Sequence, residues 1–159
     1  MNFELSHPNA ECNGKICITG SKSESNRLLL LQAIFSGLTI ENISKSDDSL
    51  VMQSALKSDS EVVNIHHAGT AMRFLAAYFA HLDGREVLLT GSKRMQQRPI
   101  KILVEALQAI GASISYEKED GFPPIRIHGK KLKGGKVSLP ANTSSCLLYT
   151  SDAADDALS

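Results

Sequence analysis

Tryptophan is absent from this 159-residue chain, and aromatic side chains amount to five Phe and three Tyr, so the core has to be aliphatic. Neither sign of charge is in excess, with 17 Lys and Arg against 17 Asp and Glu. That balance excludes the strong field expected of a nucleic-acid or membrane-surface binder. No apolar run approaches the length that spans a bilayer. The opening Met1-Asn2-Phe3-Glu4 lacks the basic and apolar stretches of a secretory leader. Three cysteines, Cys12, Cys17 and Cys146, are odd in number and fit no zinc spacing, so they read as reduced thiols of a cytoplasmic protein. The length suits one hydrophobic core and is short for two ordinary domains.

The most informative segment is Gly20-Ser21-Lys22-Ser23-Glu24-Ser25-Asn26-Arg27, set between a short β-branched stretch and an apolar run. Ser21 with Glu24 three residues on is a capping-box helix start. The first turn of a helix has unpaired N–H groups and the positive end of the macrodipole, which suits an anion. Lys22 and Arg27 add two positive charges there, Ser23 adds a hydroxyl, and Ser23 and Arg27 share a helix face. Either these groups form an anion site, or they are the solvated first turn of an ordinary helix. The following Leu28-Leu29-Leu30-Leu31 and Ala33-Ile34-Phe35 are apolar all round, a pattern that predicts burial on every side. Charges at the mouth of a buried helix are costly unless they reach solvent or face a ligand.

The pattern predicts an α/β (α+β) chain: strand 15–19, helix 21–36 stopped by Gly37, strand 38–43, and a helix over 47–57 with Ser46 as N-cap. Strand 61–65, a tight His67-Ala68-Gly69 loop, helix 70–81 and strand 85–90 follow. After the loop 91–98, a helix opens at Pro99 and stops at Gly111. Strands 113–119 and 125–128 flank the turn chemistry of Asp120-Gly121-Phe122-Pro123-Pro124, and a last strand is expected over 136–139. Arg27 with its apolar helix is echoed by Arg73 with another, roughly 45 residues later, a spacing at which an internal repeat is worth testing.

Four patches, GSKSESNR at 20–27, HAGTAMRFLAA at 67–77, LTGSKRMQQRPI at 89–100 and PPIRIHG at 123–129, resemble the 5-enolpyruvylshikimate-3-phosphate synthase family (3-phosphoshikimate 1-carboxyvinyltransferases). Ala141-Asn142-Thr143-Ser144-Ser145 resembles the start of that family's serine pair. The resemblance implies repeated βαβαββ units with buried helices, as in the enolpyruvyl transferase fold. It implies transfer of the enolpyruvyl group of phosphoenolpyruvate to the 5-hydroxyl of shikimate-3-phosphate, with release of phosphate and with no metal or organic cofactor. The partners it implies are these two small molecules, with no nucleic acid or membrane and a monomeric full-length enzyme. By resemblance Lys22 is the catalytic residue at the junction of the substrates, and Ser23 and Arg27 hold shikimate-3-phosphate. Gly69 lets backbone approach phosphoenolpyruvate because no Cβ intervenes. Thr70 falls beside it in the substrate-binding set and also reads as a cap for the following helix. Arg98 clamps a phosphate or carboxylate of the donor with its guanidinium fork. Ser144 and Ser145 match the hydroxyls that hold the shikimate phosphate. His67 stands where the family usually has Asn, and neither His66 nor His67 is placed among the catalytic groups.

The resemblance covers residues 10–145 and only the opening part of a longer two-domain enzyme. It implies that 1–20 is a strand segment joining the other domain and that 21–145 is a partial substrate-binding domain. The tail from Cys146 to Ser159 departs from the family and resembles translated sequencing-adaptor sequence, so 146–159 is expected to be non-native. With the rest of the enzyme missing, the expectation is uncovered apolar helix surface and no transferase activity from this chain alone. A related enzyme acting on UDP-N-acetylglucosamine carries a reactive Cys in the loop matching 91–98, where this chain has none. A non-catalytic anion-binding module is the alternative from another class. The nucleotide-binding pattern GxxxxGK[ST] is absent.

Overall fold

A computed structural model describes Lys15 and residues 17–137. Four helices, α1 (Lys22–Ile34), α2 (Asp47–Leu56), α3 (Gly69–His81) and α4 (Lys101–Ala109), accompany four strands, β1 (Val62–Asn64), β2 (Glu86–Thr90), β3 (Ser113–Tyr116) and β4 (Ile125–His128). The strands form one sheet in the order β1-β2-β4-β3. β1 and β2 run parallel, with Val63 opposite Leu89, while β4 is antiparallel to both β2 and β3. From β1 onward the chain therefore makes one complete βαβαββ passage, β1-α3-β2-α4-β3-β4.

Alternation along the strands decides which face is covered. Val87 and Leu89 of β2 and Ile125 and Ile127 of β4 are fully buried. The intervening Glu86, Arg126 and His128 meet on the opposite face. There Arg126 lies between Glu86, at 3.1 Å, and Glu117, at 2.5 Å, and the two carboxylates hold its guanidinium above the usual arginine range. One face is thus core and the other is a solvated charge ladder, as an antiparallel sheet allows. α3 and α4 cover the core face, and α1 and α2 pack on each other and on α3.

The expected burial of both apolar helices holds for α3 only. α3 lies between the sheet and the α1–α2 pair, with Met72, Leu75, Ala76 and Phe79 buried. Each large apolar side chain buried there contributes about 2 kcal/mol. α1 buries only Ser25, Asn26 and Leu29; Leu31, Ile34 and Phe35 are 42, 45 and 58% exposed. The reason is position, since α1 is an outer element and no described segment lies across its far side.

Two expected strands are not formed. Cys17–Gly20 and Leu38–Ile43 have no strand structure. The two stretches meet through the Gly20 N–H to the Asn42 carbonyl at 3.0 Å and the Lys45 N–H to Thr19 Oγ1 at 3.4 Å. Asn42 has φ 51°, which breaks the extended geometry that a continuing ladder needs. Lys136 and Val137 are likewise not in a strand; the remainder of that expected strand, the 146–159 tail and most of the 1–20 segment lie outside the described residues. Ser46 occupies the N-cap of α2 without a side-chain cap bond, its hydroxyl pairing instead with Ser49 Oγ at 3.2 Å. α4 starts two residues after Pro99 because Ile100 is its cap.

Tyr116 offers a test of this packing. Its hydroxyl is buried without a partner. Burial first, then the nearby carboxylates of Asp120 and Glu105, push its phenol up to about 12 from 10.0. A raised acid favours the folded state while neutral, so its contribution is complete below pH 10 and is lost as pH rises from 10 to 12. Tyr116→Phe is expected to flatten the loss of thermal stability over that window. At neutral pH it leaves the midpoint unchanged or raises stability by up to about 1 kcal/mol, because an unsatisfied hydroxyl is removed.

Candidate functional site

The C-terminal ends of the two parallel strands place the loops that matter. Past β1, the Ile65 N–H donates to the Thr90 carbonyl at 2.9 Å, and the Ser92 N–H donates to the His66 carbonyl at 2.8 Å. His66 turns at φ 50°. The 66–68 and 91–98 loops therefore run side by side beyond the sheet, where open α/β sheets place their ligands.

α3 begins at this point. Its N-cap is Ala68, which has no side chain able to cap, and the Met72 N–H closes the first helical bond on the Ala68 carbonyl at 3.1 Å. Thr70 is thus not the cap expected from the sequence. It is the second residue of the helix, two positions past the N-cap, so its hydroxyl cannot serve an Ncap role. The end of a 13-residue helix is left without a side-chain cap, which keeps its partial positive charge available to an anion.

Arg98 reaches over that end from the neighbouring loop. A short 3-10 turn, Met95–Gln97, precedes it, and its own N–H donates to the Met95 carbonyl at 3.0 Å. The residue before a proline is confined to extended backbone, and Arg98 has φ −96° and ψ 122°. Its guanidinium lies against Gly69 so closely that a methyl group there would fall 2.4 Å from Nη1 and 3.1 Å from Cζ. Only a glycine admits this approach. Gly69 and Arg98, each assigned to the donor by resemblance, thus lie against each other.

The α1 residues come to the same end of the helix cluster through α2. Ser21 Oγ accepts the Glu24 N–H at 3.5 Å, as the capping box predicted, and Ser25 Oγ accepts the Ser44 N–H at 2.9 Å, fastening the first turn of α1 to the approach of α2. Lys22 Nζ stands 3.6 Å from Asp48 Oδ1 with its side chain 49% exposed. Asp47 Oδ2 lies 4.0 Å from His67 Nε2. Two adjacent acids at the start of α2 thus connect Lys22 with the loop that leads to Gly69. Arg27 donates from Nη1 to the Ser23 carbonyl at 2.9 Å and covers the Phe74 ring of α3 at 5.6 Å. Its guanidinium is thereby oriented while staying exposed. Ser23 is also exposed. Ser144 and Ser145 lie outside the described residues.

Arg73 and Arg85 frame these groups; bracing rather than substrate binding is the role the sequence leaves open for Arg73, and it marks none for Arg85. Arg73 donates from Nη1 to the Gly69 carbonyl at 3.2 Å and from Nη2 to the Pro99 carbonyl at 3.4 Å. Arg85 likewise binds the carbonyls of Ser58, Asp59 and Ser60 at 3.1, 2.8 and 2.7 Å, setting the approach to β1. Long-range arginine–carbonyl contacts leave no local pattern to read. Three hollows, of about 200, 290 and 450 Å³, lie elsewhere and include none of Lys22, Ser23, Arg27, Gly69, Thr70 or Arg98. In the largest of these, Lys101 and Asp120 are already paired at 2.7 Å. Lys22, Ser23, Arg27 and Arg98 are exposed and Gly69 and Thr70 half-buried, with Asp47 and Asp48 lying between the two groups. Among the described residues there is no cluster of His, Cys, Asp and Glu able to hold a metal ion, and no helix long and apolar enough to cross a membrane.

A family model described as EPSP synthase (3-phosphoshikimate 1-carboxyvinyltransferase) matches residues 55–151. A 3-phosphoshikimate 1-carboxyvinyltransferase from Bacteroides fragilis is 46% identical over 91% of this chain and 35% of its own length. One from Tolumonas auensis is 41% identical over 93% of this chain and 41% of its own length. An EPSP synthase structure from Acinetobacter baumannii superposes with a TM-score of 0.71 at 25% identity, covering 80% of this chain and 35% of that one. The chain thus spans about 35 to 41% of the length of the curated relatives it matches.

Proposed function

The chain belongs to the EPSP synthase family, and on that premise we propose that it supplies part of the substrate site of a 3-phosphoshikimate 1-carboxyvinyltransferase. The enzyme joins the 5-hydroxyl oxygen of shikimate-3-phosphate to C2 of phosphoenolpyruvate. The C2–O bond to phosphate breaks with its electron pair leaving on the phosphate, and the proton lost by the hydroxyl is balanced on the released inorganic phosphate. Both substrates carry several negative charges, so fixed cations and oriented N–H groups are what the reaction requires of the protein. The observation that carries this reading is the Arg98 guanidinium packed on Gly69 at the uncapped start of α3. An oxyanion of phosphoenolpyruvate placed there meets a planar fork from one side and helix N–H groups from the other. Thr70, in the first turn, offers its N–H and hydroxyl to the same anion. Lys22, half exposed and 3.6 Å from Asp48, is the cation this reading assigns to the junction of donor and acceptor. Ser23 and Arg27 take the acceptor's phosphate, joined by Ser144 and Ser145.

Phosphate release from the two substrates together, followed by the complete enzyme that includes these residues and by this chain alone, tests the reading. The complete enzyme is expected to turn over only with both substrates and to lose at least about a thousandfold in kcat on Lys22→Ala. This chain alone is expected to show none. Anion binding by the complete enzyme without turnover would favour a non-catalytic module instead.

A further inference from the structure

Arg73 bridges two segments that the chain keeps 26 residues apart. One arm of its guanidinium binds the Gly69 carbonyl in the first turn of α3, and the other binds the carbonyl of Pro99, the residue that follows Arg98. Pro99 has no N–H, so the peptide after Arg98 cannot be anchored by a backbone donor of its own. Ile100 restarts the backbone bonding by donating to the Gly121 carbonyl at 2.9 Å. Among the described residues, the backbone bond that holds Arg98 is its N–H on the Met95 carbonyl. A planar guanidinium fork can satisfy two carbonyls at fixed separation, whereas an ammonium supplies only a point charge. Arg27, by contrast, uses the equivalent arm on the carbonyl four residues before it and turns its face to Phe74. The two arginines that look alike in sequence are therefore held differently.

We propose that Arg73 is a positioning residue that fixes the Arg98 guanidinium over Gly69 by tying the start of α3 to the Pro99–Ile100 peptide, one link past Arg98. The inference rests on the reading of Arg98 as the donor-phosphate clamp. It assigns Arg73 no contact with substrate, and its effect on binding has to pass through Arg98.

A double-mutant cycle on the full chain, with phosphoenolpyruvate as the probe, separates these roles. Arg73→Ala is expected to weaken binding about tenfold and Arg73→Gln, which keeps a donor but not the fork, about threefold. In an Arg98→Ala background, Arg73→Ala is expected to add less than about twofold. A second readout does not depend on binding. The Arg98 Nε–H resonance is expected to be displaced from the free-arginine position in the parent chain and to return to it in Arg73→Ala, while the amide of Gly129 keeps its protection. If the parent chain fails to bind phosphoenolpyruvate, the functional reading fails, and the Arg98 resonance still decides the role of Arg73. An unchanged Arg98 resonance in folded Arg73→Ala, or an equal loss of affinity with and without Arg98, overturns the proposal.

Discussion

Gly129→Ala is expected to destabilise the fold by about 3 kcal/mol and to lower the thermal midpoint by about 10 °C. Gly129 follows β4 directly. Its N–H donates to the Arg85 carbonyl at 2.7 Å, and its carbonyl accepts the Gly84 N–H at 3.0 Å, locking it to the turn that enters β2. A methyl group there would lie 1.9 Å from the Leu82 carbonyl oxygen and 2.6 Å from that of Phe79. Both are backbone atoms at the end of α3, so no side chain can swing aside. Either the helix lifts from the sheet edge or the two Gly129 bonds break. Gly84→Ala is the useful contrast. Its Cβ would meet nothing within 4 Å, and only its φ of 75° opposes the change, at a cost of about 1 kcal/mol. Thermal melts of the two variants should therefore separate a packing clash from backbone strain.

Loss of the Arg98 guanidinium should weaken phosphoenolpyruvate binding about a hundredfold, as expected for one bidentate charge-assisted contact. Arg98 is exposed, so Arg98→Ala leaves the core and the thermal midpoint unchanged. Gly69→Ala makes the same point by a different route. The new methyl would crowd only the far end of the Arg98 side chain, and the helical backbone at Gly69 accepts alanine readily. The expected result is an intact fold and about tenfold weaker binding, because the guanidinium is displaced rather than removed. Calorimetric titration with parallel melts checks both variants. A destabilised Gly69→Ala with unchanged affinity would mean that the contact serves the fold alone.

Where each element's apolar pattern and its neighbours agreed, the sequence reading held. β4 has the expected limits of 125–128, α3 begins one residue before the expected 70, and β2 begins one residue after the expected 85 and ends at the expected 90. The reading failed where a partner had to be supplied from elsewhere. Leu31, Ile34 and Phe35 are as apolar as the buried face of α3, yet the side of α1 that carries them faces outward. The stretch 38–43 has strand composition, but Asn42 turns left-handed and a single backbone bond to Gly20 replaces a ladder. In the site, the Ser21 cap was legible because it follows from a local motif, whereas Gly69 and Arg98 were singled out by family resemblance and their direct contact was not legible. The Ala68 cap of α3, the turn at Met95–Gln97 and the reach of Arg73 to Pro99 were not. They depend on how two loops lie beside each other once β1 and β2 have paired.

The central claim is that Lys22, Ser23 and Arg27 at the start of α1, and Gly69 and Arg98 beyond the parallel strands, belong to one anion-binding face. Backbone amide chemical-shift mapping of the chain, with phosphoenolpyruvate and shikimate-3-phosphate added separately and then together, tests it most directly. The account predicts that phosphoenolpyruvate shifts the amides of Gly69, Thr70 and Arg98, that shikimate-3-phosphate shifts those of Lys22, Ser23 and Arg27, and that the two sets respond to each other when both are present. Shifts confined to the hollow around Lys101 and Tyr116, or no shifts in a folded chain, would contradict it.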